Sequence, residues 1–234
     1  MNDRYGRFVL MALTAGLMAA CSSVGIQSSE QKQKQAKVEV SWPYARQGIL
    51  IELDSATDLN LQAGRAHTLV LGVVQTEDEK AFAKLLTDSA GVQVLLTTGK
   101  LPAGVLHTDR YVVNPGERHV LSMDRVQDAR YVGLIAGYYE FNPAHVARLF
   151  RVPLNMKSTG LIAKDYTAEP AVLALRLALG SQRIVNAVSL THDADKLPAR
   201  ELLPVSGVAP EIPISAETLL RSNPYQGPLI KLGP

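Results

Sequence analysis

Between Val38 and Leu190 the chain is a succession of short apolar runs, rich in β-branched residues and cut by turn formers. "VEVSW" alternates, and "GILIELDSA", "HTLVLGVVQ", "VQVLLTT", "RYVVN", "HVLSMDRV", the longer "RYVGLIAGYYEF" and "RLFRVPL" follow. Runs of that length and composition between Gly, Pro, Asn and Asp positions are strand signals. Asn114-Pro115-Gly116 is an evident turn between two of them. Each such strand has to bury one face against another layer, which leaves few architectures open.

"AVLALRLALGSQRIVNAVSL" admits two readings. Leu173, Leu175, Leu177 and Leu179 share one face at period two with Arg176 opposite, and Gly180-Ser181 supplies a turn, so the segment reads as two strands. The same leucines and alanines would also suit a helix. "TEDEKAFAKLLTDSAG" breaks the strand pattern. Thr76 is placed as an N-cap with Glu79 three residues on, a capping box. Ala81, Phe82, Leu85 and Leu86 make an apolar stripe, and Gly91 closes the segment. The expectation is a mainly β fold, a two-sheet β-sandwich of transthyretin or immunoglobulin type, with a short helical insertion packed on a sheet.

The two ends of the chain differ from this middle. Arg4 and Arg7 outweigh Asp3, and Phe8 to Ala20 then runs thirteen residues without a charge. That is too short to span a bilayer, which takes about 20 apolar residues. A basic leader, an apolar stretch and a small-residue cleavage site make a secretory signal, expected over residues 1–20. Ala19-Ala20-Cys21 resembles a bacterial lipobox, although Met18 sits where leucine is most usual. The resemblance implies a diacylglycerol on the Cys21 thiol and cleavage before it; the alternative is an uncut membrane helix with an incidental cysteine. No other cysteine exists in the chain, so no internal disulfide forms and stability has to come from a core. By analogy with known lipoproteins, Ser22 in place of an aspartate implies the outer membrane, with the domain on its periplasmic face. Ser22–Lys37 is polar and Gln/Lys/Ser-rich, so residues 21–37 are expected to be a flexible tether, with a solvated helix as the alternative. The sandwich is expected over 38–196. A Pro-rich extension, with seven of the thirteen prolines, fills 197–234 and is expected to be extended, strapped over the sandwich or disordered, with a helical turn near Ser215.

Composition narrows function further. The formal net charge is +2, and cleavage before Cys21 removes Arg4, Arg7 and Asp3 and leaves it at about +1. A nucleic-acid binder would carry a clustered basic face, and none is visible. The 234 residues, 47% hydrophobic, suffice for one sizeable core. No Gly-x-Ser-x-Gly elbow is present. "TTGKL" lacks the earlier glycine and the following hydroxyl of a phosphate-binding loop. The five histidines are scattered without ligand spacing, and Asp193 and Asp195 of "THDAD" read as a solvated acidic loop rather than a metal site. Lipid takes the one thiol. The chain reads as a binding or scaffolding module with no catalytic residue, cofactor or metal.

"DLNLQAGRAHTLVLGVVQTEDEKAFAKLL" resembles the type VI secretion lipoprotein family, often called TssJ, in the order Asp58, Asn60, Gly64, the strand His67–Gln75, then Phe82 and Leu86. "VNPGERHVLSMDRVQDARYVGLIAGYYEF" is similar to the family's Pro-Gly turn, strand and Tyr-x-Gly-x-x-Ala strand at Pro115, Gly116, Tyr131, Gly133 and Ala136. The Gly and Ala of "LIAGYY" also read simply as close sheet packing. The resemblance implies an outer-membrane lipoprotein of the type VI secretion membrane complex that binds the periplasmic C-terminal region of the inner-membrane protein TssM. It also implies that the loop between early strands, "DSATDLNLQAGR" (54–65), carries much of the contact. Asp58, Asn60 and Arg65 are expected as exposed polar groups, and Leu59 and Leu61 as apolar anchors; alternatively both leucines tuck under the sandwich edge. A second function remains open, a periplasmic lipoprotein carrying or chaperoning a small apolar ligand, for which a large apolar pocket inside the sandwich would speak.

Overall fold

In chain order the elements are α1 (Ser29–Val38), β1 (Ala45–Ser55), β2 (Leu69–Thr76), α2 (Glu79–Leu86), α3 (Ser89–Thr98), β3 (Val105–Val113), β4 (Arg118–Arg125), β5 (Tyr131–Ala136), α4 (Pro143–Val146), β6 (Ala147–Arg151), β7 (Leu154–Thr159), β8 (Asp165–Pro170), β9 (Leu173–Leu179), β10 (Ile184–Ser189) and β11 (Ile230–Leu232). This is a computed structural model, and it describes residues 28–160, 164–191 and 229–233. The signal sequence, Cys21 with the start of the tether, the acids of "THDAD" and the Pro-rich stretch up to residue 228 lie outside the described residues. Among the described residues no helix is long and apolar enough to cross a membrane.

One sheet runs β10-β9-β1-β4 and the other β11-β3-β2-β5-β6, with β7–β8 a separate hairpin. β1 and β9 pair in parallel; the other pairings are antiparallel. Period-two patterning explains the sandwich. Ile49, Ile51 and Leu53 of β1 and the four leucines of β9 face Leu69, Leu71 and Val73 of β2 and Val132, Leu134 and Ala136 of β5. Each such burial contributes about 1.5–3 kcal/mol, and together these side chains fill the space between the sheets. The hairpin reading of residues 173–189 is thus the observed one.

The outer face of the second sheet carries a smaller core. Val74 and Ile135 meet Phe82 and Leu85 of α2 and Val92, Leu95 and Leu96 of α3. Two glycines make the approach possible: a Cβ on Gly133 would lie 2.1 Å from the Phe82 ring, and one on Gly72 would lie 2.8 Å from Leu96 Cδ2. Gly137 of "LIAGYY" likewise serves close packing, since its Cβ would stand 3.1 Å from the Val70 carbonyl oxygen.

Several local expectations are corrected. The helical insertion is two helices. Thr76 ends β2, and the N-cap of α2 is Asp78, whose side chain accepts from the Lys80 amide. "VQVLLTT", expected as a strand, forms most of α3, because Asp88 caps its start and Gly99, in the left-handed region, ends it. Val92, Leu95 and Leu96 then fall at helical spacing on the buried face. Gly91 lies inside α3 and donates its amide to Asp88 Oδ1 at 2.9 Å. "VEVSW" is no strand: α1 runs to Val38, and Trp42 turns inward under the guanidinium groups of Arg125 and Arg130, 5.5 and 5.9 Å from its ring. The long strand expected in "RYVGLIAGYYEF" stops at Ala136. The tether is helical from Ser29, the alternative left open above. Its start is fixed by a capping box, in which Ser28 Oγ accepts from Gln31 N and the Gln31 side chain accepts from Ser28 N. The end of the Pro-rich extension is structured as well, since Ile230–Leu232 pair with β3.

The registers define two ends. At one end lie the start of β1, Thr76, Tyr131 and Arg151, together with the root of the β7–β8 hairpin. At the other lie the β1–β2 loop, the Asn114 turn, residues 137–142 and the β9–β10 turn.

Candidate partner-docking site

The β1–β2 loop is shaped by its backbone bonds. Ser55 Oγ donates to the Asn114 carbonyl at 2.7 Å and accepts from Glu117 N at 2.9 Å. Ala56 N donates to Leu179 O, and Gly116 N to Ala56 O. Leu61 N donates to Ser181 O at 2.8 Å, which ties the loop to the β9–β10 turn. Beyond it, Gln62 and Arg65 exchange both backbone hydrogen bonds around Ala63 at φ 49° and Gly64 at φ 75°. Two successive residues at positive φ make the tight hairpin turn that projects the loop tip.

The five residues singled out in this loop part company. Leu59 is fully buried in the sandwich core. The expectation of an exposed anchor is overturned there, because the turn from Ala56 to Leu59 aims its side chain between the sheets. Asn60 is buried too, contrary to expectation. It sits at φ 50°, donates from Nδ2 to the Thr68 carbonyl at 3.0 Å and accepts from Tyr139 N at Oδ1 at 3.1 Å. Asparagine tolerates the left-handed region and carries both a donor and an acceptor, so it suits the position on both counts. Asp58 and Arg65 are exposed as expected, and Leu61 is half-buried.

Topology adds neighbours that the sequence order hides. Tyr139 is 59% exposed and meets His67 edge to face, with ring centroids 5.4 Å apart. Tyr138 beside it is buried, with its hydroxyl 3.0 Å from Gly180 O and 2.8 Å from Arg183 O. Burial first, and then the nearby Asp58 charge, pushes this phenol well above its usual range. A cleft of about 480 Å³ lined by Glu140, Asn142, His145, Arg183 and Val185 adjoins a smaller one of about 90 Å³ at Leu61 and Gln62. Val185 is 63% exposed. The "GYYEF" aromatics offered the one signal for this neighbourhood, and only the long-range pairing joins them to the loop.

This end offers a polar and aromatic relief with apolar points at Tyr139, Leu61 and Val185, the make-up of a protein-contact surface. Among the described residues no three His, Cys, Asp or Glu side chains gather as a metal site.

Residues 47–175, more than half of the chain, match the protein family described as type VI secretion lipoprotein, VasD, EvfM, TssJ. Among solved structures the chain is similar to the type VI lipoprotein TssJ1 of Pseudomonas aeruginosa, at 23% identity and a TM-score of 0.42, covering 63% of this chain and 96% of that one. It is also similar to Serratia marcescens Lip, a membrane-bound component of the type VI secretion system, at 18% identity and a TM-score of 0.44, with 62% and 97% covered. A structure described as the TssM C-terminal domain from EAEC is matched at 12% identity and a TM-score of 0.43, over 60% and 96%. No curated protein sequence matches.

Proposed function

We propose, because the chain belongs to the type VI secretion lipoprotein family, that it is an outer-membrane-anchored adaptor whose sandwich docks the periplasmic C-terminal region of TssM. Lipid on Cys21 holds the chain to the periplasmic face of the outer membrane, residues 1–20 being the cleaved signal. The β1–β2 loop makes the contact, with Asp58, Leu61 and Arg65 touching the partner and Leu59 and Asn60 shaping the loop from beneath. The protein performs no reaction of its own.

The observation that supports this reading best is the separation of the two ends. α1, the described segment nearest Cys21, leads into β1 at one end, and the loop follows β1 at the other. Eleven strand residues at about 3.3 Å each put roughly 36 Å between them. An adaptor between two membranes needs this arrangement, because its contact surface then faces away from the leaflet that holds it. The carrier reading finds no support in the sandwich interior, which is filled by fully buried side chains.

The test is capture of the purified TssM periplasmic region by the chain starting at Ser22, followed by calorimetry. No binding up to about 100 µM, the weak end of specific association, would sink the docking reading.

A further inference from the structure

The ten residues of α1 do not belong to the sandwich core. Their one buried residue is Ala36. Polar contacts tie the helix to the start of β8: Lys32 Nζ donates to Asp165 Oδ1 at 2.9 Å and to the Lys164 carbonyl at 3.2 Å. The side chains of Gln33 and Ser29 lie beside the Tyr166 phenol and hold its pKa below the usual range. The hairpin itself is rooted, since Leu154 is buried in the core and Ala168 packs against it. The helix is not rooted. An isolated helix of this length is marginal in water even with good helix formers, and ion pairs as exposed as Lys32–Asp165, where the Asp165 side chain is 78% accessible, contribute little. Undocking would uncover one buried side chain of the helix, Ala36.

We propose that the contact between α1 and the β7–β8 hairpin is a releasable latch that stores slack in the membrane tether. The proposal rests on the reading of Cys21 as the anchor. Docked, the ten residues span about 15 Å at the helical rise. Released and pulled out, they span up to about 33 Å. The latch thus holds back roughly 18 Å of reach, given up when the docked partner draws the sandwich away from the leaflet. A polar latch suits this use, because its broken bonds are replaced by water and it re-forms without a trapped apolar intermediate.

Hydrogen exchange on the full lipidated chain in detergent micelles is the first test. Amides of Ser29–Val38 are expected to be protected about 10- to 100-fold over free-peptide rates, far less than those of β1. Lys32→Glu combined with Tyr166→Ala should remove that protection and leave β1 unchanged. Exchange of α1 as slow as that of β1 would overturn the proposal. The second test is a lock, Gln33→Cys with Tyr166→Cys joined by a thiol-cleavable bis-maleimide long enough to span the two side chains they replace, in the full chain in secreting cells. The cross-linked lock should lower type VI secretion at least about tenfold, with recovery on cleavage of the cross-link or in either single variant, while capture of the TssM region stays normal. Undiminished secretion by the locked chain would equally overturn it. Missing fatty-acid label on Cys21 in the same cells would sink the anchoring reading by itself, and the exchange result would still judge the latch.

Discussion

Leu59 and Leu61 stand two residues apart in one loop, yet the first is buried and the second half-exposed, and paired substitutions separate the core role of one from the contact role proposed for the other. Leu59 is fully buried in the core between the sheets. Leu59→Ala removes buried methylenes and leaves a cavity, a change that costs about 2–5 kcal/mol in well-packed sites. For a domain of this size each kcal/mol moves the melting temperature by about 2–4 °C, so a fall of roughly 4–20 °C is expected. Leu61 is half-buried, and its main structural tie is a backbone bond to Ser181 that survives any side-chain change. Leu61→Asp should therefore cost no more than about 1 kcal/mol in stability. At the interface it deletes an apolar contact and buries an unpaired carboxylate, a loss of about 2 kcal/mol or more and hence roughly 30-fold or more in Kd. The assays are thermal melting by circular dichroism and calorimetric titration with the TssM region, both on the chain from Ser22 with Cys21 absent. A normal melt for Leu59→Ala would refute the burial argument. A normal Kd for Leu61→Asp would move the interface off the loop tip, towards Tyr139 and Val185.

Asn60→Ala loses two hydrogen bonds worth about 0.5–1.5 kcal/mol each and leaves alanine at positive φ, so both melting temperature and affinity should fall although Asn60 itself is buried; Asn60→Gly should recover part of the stability, and equal melts for the two would remove the role given to φ. Gly133→Ala drives a methyl into the Phe82 ring and should cost about 1–3 kcal/mol in urea denaturation, with partial rescue by Phe82→Leu; a neutral outcome would mean that α2 is not held as close as described. Arg65→Glu, on the exposed turn, should leave the melt unchanged and alter the association rate with TssM in a salt-dependent way, and a rate indifferent to both charge and salt would take Arg65 out of the contact. Cys21→Ser should abolish fatty-acid labelling and outer-membrane fractionation, and normal fractionation of that variant would end the anchoring argument.

How legible the fold was depended on which period a segment carries. β9 follows from alternation, its four leucines facing one core, whereas β2, buried against the sandwich core on one face and α2 and α3 on the other, follows from a nearly continuous apolar, β-branched run. "VQVLLTT" misleads because β-branched composition points to a strand while Val92, Leu95 and Leu96 sit at helical spacing. The deciding cue, Asp88 before and Gly99 after, lies outside the run itself. α1 went the other way: a hydrophobic pattern is absent, so the sequence favours a tether, yet the capping box at Ser28 and the polar seat on β8 order it. Composition measures what a segment can bury, and α1 is held by groups that bury almost nothing.

The proposed docking end was legible as a loop and illegible as a surface, for a physical reason. A loop that has to present a fixed shape cannot spend all of its residues on contact, and some must be turned inward to hold the backbone. In "DLNLQ" the alternation of polar and apolar residues suggests that Asn60 and Leu59 serve the same outside world as their neighbours. A turn at Ala56 and positive φ at Asn60 invert that order, sending Leu59 into the core and the Asn60 amide to Thr68 and Tyr139. Strand periodicity carries no information once φ changes sign, so facing in such a loop is set residue by residue. A partner docked at this end, as proposed, would meet what the shaping residues leave outside: Asp58, the edge of Leu61, Arg65 at the turn and Tyr139 from the segment after β5. Three of those four come from one loop, and the fourth is held beside them by the Asn60 side chain, whose acceptor fixes the Tyr139 backbone. If this end is the docking surface, as proposed, docking depends on a buried amide that never touches the partner.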